Sequence, residues 1–285
     1  MKNKNQNIDF HQDGEVHHFP EIDLKFAVSK DQVWENLSHQ IEEPISDVRG
    51  VTIKLFYKLA FAASVLIILG VTGFMKLYTK TVFAPSGQHL TLSLPDHSTI
   101  ELNAQSTVTY HPYWFKFRRT ITLDGEAFFM VMHGNQFKVI SSRGQTSVLG
   151  TSFNIYSRED SYSVTCFTGK VKVVSSERSE VVLLGPNEQA FINKDGLLRF
   201  VQKVNSQPVK SWRDNMFVFT GSSIVSVLKE IERQYNIKIV FKADPNLTYT
   251  GNFSRSLSEK EVLDLVCTSL GLKFDARSKT EFLVD

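Results

Sequence analysis

Leu59-Ala60-Phe61-Ala62-Ala63-Ser64-Val65-Leu66-Ile67-Ile68-Leu69-Gly70-Val71-Thr72-Gly73-Phe74-Met75 runs between Lys58 and Lys76 without a single charge. As a helix rising 1.5 Å per residue it covers about 25 Å, close to the roughly 30 Å of a bilayer's hydrocarbon core. Ile53, Leu55, Phe56 and Tyr57 before it, and Leu77 and Tyr78 after it, extend the apolar surface. Lys58 and Lys76 can reach the headgroups, and Tyr57 and Tyr78 fall where interfacial aromatics are expected. A buried core helix rarely stays apolar on every face for so long. A cleaved leader is disfavoured, since no small-x-small cleavage site follows. The reading is a single-pass membrane protein with its helix over residues 57–78. Arg49, Lys54 and Lys58 precede the span and Lys76 and Lys80 follow it, so charge only leans toward a cytoplasmic N-terminus.

Working back toward the N-terminus, residues 1–48 carry four lysines against ten Asp and Glu, although the whole chain is at +2. An acidic arm is unsuited to phosphate backbones, so direct nucleic-acid binding is not expected of it. A partner with a basic surface suits it, and a solvated tail is the plain alternative. His11, His17 and His18 have no ligand spacing on an ordered element, so no metal is expected. Within the arm, Ser29 is a candidate N-cap and Pro44 a stop, framing a helix over residues 29–43. Val33, Trp34, Leu37 and Ile41 recur on one face of it, with no second element to cover them. An uncovered stripe with a tryptophan calls for a partner groove.

Beyond the span the period changes from 3.6 to two. Leu90, Leu92 and Leu94 alternate with polar residues, Pro95-Asp96-His97-Ser98 makes a turn, and Ile100 and Leu102 resume. Short runs follow at 120–123, 127–132, 137–140, 146–149, 153–156, 163–167, 170–174, 181–184 and 189–192, punctuated by glycines. This predicts an all-β domain over 84–203. From Trp212 the pattern becomes strand 217–219, helix from Ser222 or Ser223 to Tyr235, strand 237–241, then strand 249–253. Ser258-Glu259-Lys260-Glu261 is a capping box for the next helix, closed by Gly271, with strands at 272–274 and 281–284. Residues 212–285 are therefore expected to form a small α+β lobe of two β-α-β units.

No phosphate loop, nucleophile elbow or zinc helix is present, so neither a turnover enzyme nor a cofactor is expected. Asp96, Glu101, Asp124 and Glu126 read as turn formers and solvated edges. Cys166 and Cys267 stand in apolar surroundings and read as buried thiols rather than a disulfide or zinc pair.

Six segments occur in a telling order. They are Leu94-Pro95-Asp96-His97-Ser98-Thr99-Ile100-Glu101-Leu102-Asn103, Arg119-Thr120-Ile121-Thr122-Leu123-Asp124-Gly125-Glu126-Ala127-Phe128-Phe129, Phe137-Lys138-Val139, Val148-Leu149-Gly150-Thr151-Ser152-Phe153-Asn154-Ile155, Thr168-Gly169-Lys170-Val171 and Leu184-Gly185-Pro186-Asn187-Glu188-Gln189. Together they resemble the FecR family of membrane-bound sigma-factor regulators, or anti-sigma factors. Tyr235-Asn236-Ile237, Thr250-Gly251-Asn252-Phe253 and Ser269-Leu270-Gly271-Leu272 resemble the STN-like domain that follows in one branch of that family. His97 departs from the pattern, which usually has glycine there, and so puts the turn type in question.

The resemblance implies an inner-membrane protein with a cytoplasmic segment, 1–56, and a periplasmic C-terminal part. It implies that Val33, Trp34, Leu37 and Ile41 bind an extracytoplasmic-function sigma factor. It further implies a signal from the signalling domain of a TonB-dependent outer-membrane transporter for a nutrient or iron-siderophore. Gly251, Asn252 and Phe253 would receive that signal by strand-edge pairing. An intramembrane protease would then free the sigma factor. Some relatives cleave themselves at a Gly-Thr bond in the fourth segment, which marks Gly150 and Thr151; a purely conformational glycine is the competing reading. The alternative function is a membrane-anchored envelope binding or assembly module without a sigma-factor partner.

Overall fold

A computed structural model describes residues 27–41, 49–192 and 195–285. The chain divides into two compact units, Met1–Ala63 and Ser64–Asp285. Helix α1 covers Lys30–Ile41, inside the expected 29–43, and its predicted end beyond Ile41 lies outside the described residues, as do His11, His17 and His18. Ser29 opens α1: its Oγ accepts from the Gln32 amide at 3.3 Å and its carbonyl from the Val33 amide at 3.1 Å.

Helix α2 runs over Arg49–Leu77, starting earlier than the expected residue 57. Ile53, Leu55 and Phe56 continue the helix because Lys54 and Lys58 are compatible with it through their long stems. Its stretch Ile53–Leu77 is 25 residues long and contains an 18-residue window of mean hydropathy 2.0, none of it buried inside the protein. That is one helix, among the described residues, long and apolar enough to cross a membrane. Thr72 is accommodated because its hydroxyl donates to the Ile68 carbonyl at 2.7 Å.

Thirteen strands follow: β1 (Lys80–Ala84), β2 (Leu90–Ser93), β3 (Thr99–Leu102), β4 (Ser106–Tyr110), β5 (Arg119–Met130), β6 (Phe137–Ile140), β7 (Gly144–Val148), β8 (Ser152–Arg158), β9 (Ser161–Thr168), β10 (Val171–Ser175), β11 (Val181–Leu184), β12 (Glu188–Ile192) and β13 (Leu198–Val201). The sheet order is β11-β10-β7-β6-β5-β8-β9-β12-β13, with β1 joined through β4, and β2 through β3, to β5. Within this sheet, among the described residues, only β5 and β6 pair in parallel. The expected strands 120–123 and 127–132 are one strand, β5, whose first half pairs with β4 and whose second half pairs with β3. Gly125 permits the bend between the halves. Its φ is +111°, and a Cβ there would lie 2.6 Å from Ser106 Oγ. Strand alternation then turns Ile121, Leu123, Phe129, Phe137 and Phe153 into one core, with Phe129 stacked on Phe153 at 4.9 Å. A buried phenylalanine of this kind contributes about 2–3 kcal/mol.

The C-terminal lobe begins with a turn of helix, α3 (Gln207–Lys210), and a 3-10 turn over Ser211–Asp214. It continues as β14 (Met216–Ser223), α4 (Ile224–Tyr235), β15 (Lys238–Phe241), β16 (Thr248–Ser254), α5 (Glu259–Leu270), β17 (Phe274–Ala276) and β18 (Glu281–Val284). The β-α-β order is as expected, but the halves interlock: β14 pairs antiparallel with β16, and β15 pairs parallel with β18. Ser258 and Glu261 form the capping box of α5. At the other end Gly271 sits in the left-handed region, and the Leu272 amide bonds back to the Cys267 carbonyl at 2.9 Å. That closing turn occupies Leu272, so the expected strand 272–274 starts only at Phe274.

Candidate functional sites

On α1 the four-residue spacing puts Val33 and Leu37 on the face beside Trp34, and these side chains are 47%, 43% and 72% exposed. The side chain of Ile41 lies outside the described residues. Asp31 and Glu35 give the helix an acidic polar side. Such a helix offers a partner an aromatic anchor flanked by aliphatic contacts, the usual make-up of a binding hot spot.

A second concentration of chemistry lies between the β-domain and the C-terminal lobe. Glu126, just after the Gly125 bend, is buried. Its two carboxyl oxygens accept from Asn103 Nδ2 at 2.8 Å and Asn154 Nδ2 at 2.9 Å. Facing it from α4, Glu230 accepts from Arg233 at 2.8 and 3.0 Å and from Gln234 Nε2 at 2.8 Å. Gln234 Nε2 also donates to Asn103 Oδ1 at 2.6 Å, which ties the lobe to the β-domain. Burial, and then the charge of Glu230, push the Glu126 pKa above the ordinary carboxylate range. Burial alone would raise Glu230 as well, but the guanidinium groups of Arg233 and Arg158 outweigh it and hold that carboxyl below its usual range. One acid thus favours its proton while its neighbour stays ionised.

Further contacts brace the same junction. Arg213 makes a two-pronged ion pair with Glu101 at 2.5 and 2.7 Å, its guanidinium 4.0 Å above the Phe128 ring. Lys229 meets Glu159 at 2.7 Å, and His89 packs edge-on against Trp212 at 5.1 Å. Burial, and secondly the charge of Arg255, lower the His89 pKa, favouring the neutral ring. A cleft of about 380 Å³ opens here, lined by Asn154, Tyr156, Trp212, Phe219, Glu126 and Glu230 among others. The expectation that Glu101 and Glu126 are solvated edges is therefore corrected. Asp96 is likewise partnered, meeting Arg119 Nε at 2.7 Å.

Asn103, Glu126 and Asn154 come from three separate segments of the β-domain, and they converge on this one cluster. Residues 80–172 match the family model described as FecR protein, and residues 216–283 match FecR, C-terminal. The two matches together span more than half of the chain. The chain belongs to the FecR family. Two crystal structures described as a candidate anti-sigma factor from Parabacteroides distasonis, at 2.50 and 1.65 Å resolution, resemble it at 28% identity and a TM-score of 0.67. They align with 73% and 72% of this chain, respectively, and in each case with 98% of their own. A search of curated proteins found none that matches significantly.

The FecR domain brings Gly150 and Thr151 into a crowded corner. A Cβ on Gly150 would lie 2.8 Å from His133 Cα, so glycine is required for that close approach. Thr151 exchanges backbone hydrogen bonds with Val131 at 3.0 and 3.2 Å, and its hydroxyl donates to the Lys170 carbonyl at 3.2 Å. In the FecR C-terminal lobe, Gly251, Asn252 and Phe253 pair with Phe219, Val218 and Phe217. Asn252 is exposed, whereas the Phe253 ring is buried 4.9 Å from Phe217. Phe253 can therefore offer a partner its backbone edge but not its ring. Both outer edges of the β14–β16 ribbon are unpaired among the described residues.

Sequence reasoning missed Glu230, Arg233, Gln234 and Arg158. Glu230, Arg233 and Gln234 share an amphipathic helix with ordinary polar spacing, and only the apposition of the lobe buries them. The available signal was Arg233-Gln234 standing next to Tyr235, where the apolar face turns inward.

Proposed function

We propose that this FecR-family chain is a single-pass inner-membrane anti-sigma regulator whose α1 helix holds an extracytoplasmic-function sigma factor on the cytoplasmic side. The observation that carries the proposal is the uncovered Val33, Trp34 and Leu37 stripe on an acidic helix, in a family whose solved neighbour is described as a candidate anti-sigma factor. The FecR domain and the C-terminal lobe would lie in the periplasm. There the unpaired edge of the β14–β16 ribbon suits strand addition by the signalling domain of a TonB-dependent transporter, with Asn252 alongside it. Regulated proteolysis within or beside α2 would release the sigma factor.

The test is transcription from the promoter of the cognate sigma factor in cells carrying the full chain. Trp34→Asp is expected to free the promoter from control while the protein stays folded and at the membrane. Unchanged transcription would favour an envelope binding or assembly module instead. Self-cleavage at Gly150-Thr151 is a further part of the proposal. It would produce two fragments that meet near residue 150 on a denaturing gel and vanish with Thr151→Ala; a single intact band in the parent protein removes it.

A further inference from the structure

We propose that the end of the FecR domain next to α2 lies on the bilayer surface and inserts aromatic and aliphatic side chains among the headgroups. The inference rests on reading α2 as a membrane span, and it begins from strand register. Lys80, at the start of β1, pairs with Tyr110 at the end of β4, so the loop 111–118 emerges beside the end of the helix. Tyr113 in that loop packs on the helix itself, with ring centroids 6.1 Å from Phe74 and 5.4 Å from Tyr78. His111 Nδ1 lies 3.1 Å from the Tyr78 carbonyl. The loop is thereby held at the depth where α2 leaves the hydrocarbon.

The same sheet end carries further loops. Arg119 pairs with Phe137 across β5 and β6, and Phe137 with Val148 across β6 and β7. The Arg119 side chain donates to the carbonyls of Met132 and Asn135, and the Gly134 amide to that of Leu149 at 2.8 Å. Phe117 at 69% and Leu149 at 58% exposure, with Met132 and Tyr113, therefore occupy one rim next to the span. Trp114 adds a half-buried indole 4.9 Å from Phe117.

The exposed charge on this rim is positive; Glu188, which opens β12 at the same sheet end, is half-buried and accepts from the Gly185 amide at 2.6 Å. Lys116, Arg118 and Lys170 are exposed there, and Lys76 and Lys80 flank the helix end. In the segments 94–98, 111–118, 131–136, 149–151 and 168–170 the one acid is Asp96, already paired with buried Arg119. Exposed aromatics ringed by lysine and arginine at the end of a span match an anionic lipid interface, where aromatic rings settle at headgroup level and basic groups meet phosphate. A second copy of the chain would have to bring together two surfaces of the same positive sign.

The experiment reconstitutes the full chain in vesicles containing phosphatidylglycerol and reads nitroxide labels on single introduced cysteines. Native Cys166 and Cys267 are buried, and burial pushes both thiols up to about 11, so labelling at neutral pH is selective for exposed sites. Labels are placed at Phe117→Cys, at Leu149→Cys in case loss of the Phe117 ring itself weakens docking, and at Leu66→Cys in the middle of α2. The ratio of collisions with oxygen to collisions with a water-soluble nickel chelate is expected to be several-fold higher at residues 117 and 149 than at a label on exposed Leu265 of α5. Water-like ratios at both rim positions, with residue 66 in lipid, overturn the proposal. So does spin–spin broadening at the rim, which would report a second copy. Water-like behaviour at residue 66 instead removes the span on which the inference stands.

Discussion

Helix α1 and the junction between the FecR domain and its C-terminal lobe break the same rule in opposite directions. On α1, tryptophan, valine and leucine side chains face solvent. At the junction, Glu126, Glu230, Arg158 and Arg233 are withdrawn from it. Scattered exposed apolar residues are ordinary, and so are paired surface charges; a contiguous stripe and a buried charged cluster are not. The difference teaches where each contact is made. The cluster has its partners within the chain and is held by directed hydrogen bonds of the kind that are costly to leave half-made. The stripe has none within the described residues, and supplies energy only when something covers it.

The largest effect should come from unbalancing the junction. Arg233→Met leaves Glu230 buried without its main counter-charge and is expected to lower stability by about 3–5 kcal/mol in chemical denaturation, with Glu230→Met in the same chain restoring most of it. A loss under 1 kcal/mol would mean that the cluster is wetter than its geometry implies. Next, Trp34→Asp should weaken sigma-factor capture by at least about 2 kcal/mol, some thirtyfold, with no change in the melting temperature of the FecR domain. A drop in melting temperature would show that the stripe is already covered, and would erase the contrast between the two regions.

Acid–base behaviour gives a finer test. Glu126 binds its proton more tightly folded than unfolded, so it removes stability as pH rises from the unfolded glutamate value through its raised folded value. Glu230 does the reverse, adding stability above the unfolded value that is lost as pH falls through its depressed folded value. Glu126→Gln should therefore gain stability relative to the parent as pH climbs above about 4.3. Glu230→Gln should instead lose ground to the parent at lower pH, as pH climbs from the depressed folded value to about 4.3, with a constant deficit above that. Melting curves carried from well below pH 4 up to pH 8 would read both, and parallel curves throughout would reject the assignment. The smallest effect belongs to His97, whose φ of +65° places a side chain in the left-handed region. Its amide closes the turn onto the Leu94 carbonyl at 3.0 Å, and His97→Gly should stabilise by about 0.5–1 kcal/mol.

Local features were readable from sequence because each has a local cause. The absence of charge from Leu59 to Met75 declared α2, and Ser258 with Glu261 declared the start of α5 to the residue. Alternation found most strands, but β1, β4 and β13 escaped it. Lys80–Ala84 places Val82, Phe83 and Ala84 in succession instead of alternating, and Ser106–Tyr110 is mostly polar, with Ser106, Thr107 and Thr109 around Val108 and Tyr110. Gly125 looked like the gap between two strands and is instead the bend within one. The α1 stripe was legible because its four positions lie within nine residues. The junction was not: Asn103, Glu126, Asn154 and Glu230 meet across more than a hundred residues, and no local pattern records which surface of α4 another lobe will cover. That is why Glu101 and Glu126 passed for ordinary surface acids.

Only Tyr78 and Thr79 separate the last turn of α2 from β1, and β1 is locked along its whole length to β4. Two residues can span no more than about 7 Å. The joint consequently behaves as a splice rather than a tether. A torque or a tug applied to the FecR domain has almost no slack in which to dissipate before it reaches the helix, and a twist of the helix would be felt in the first strand of the sheet.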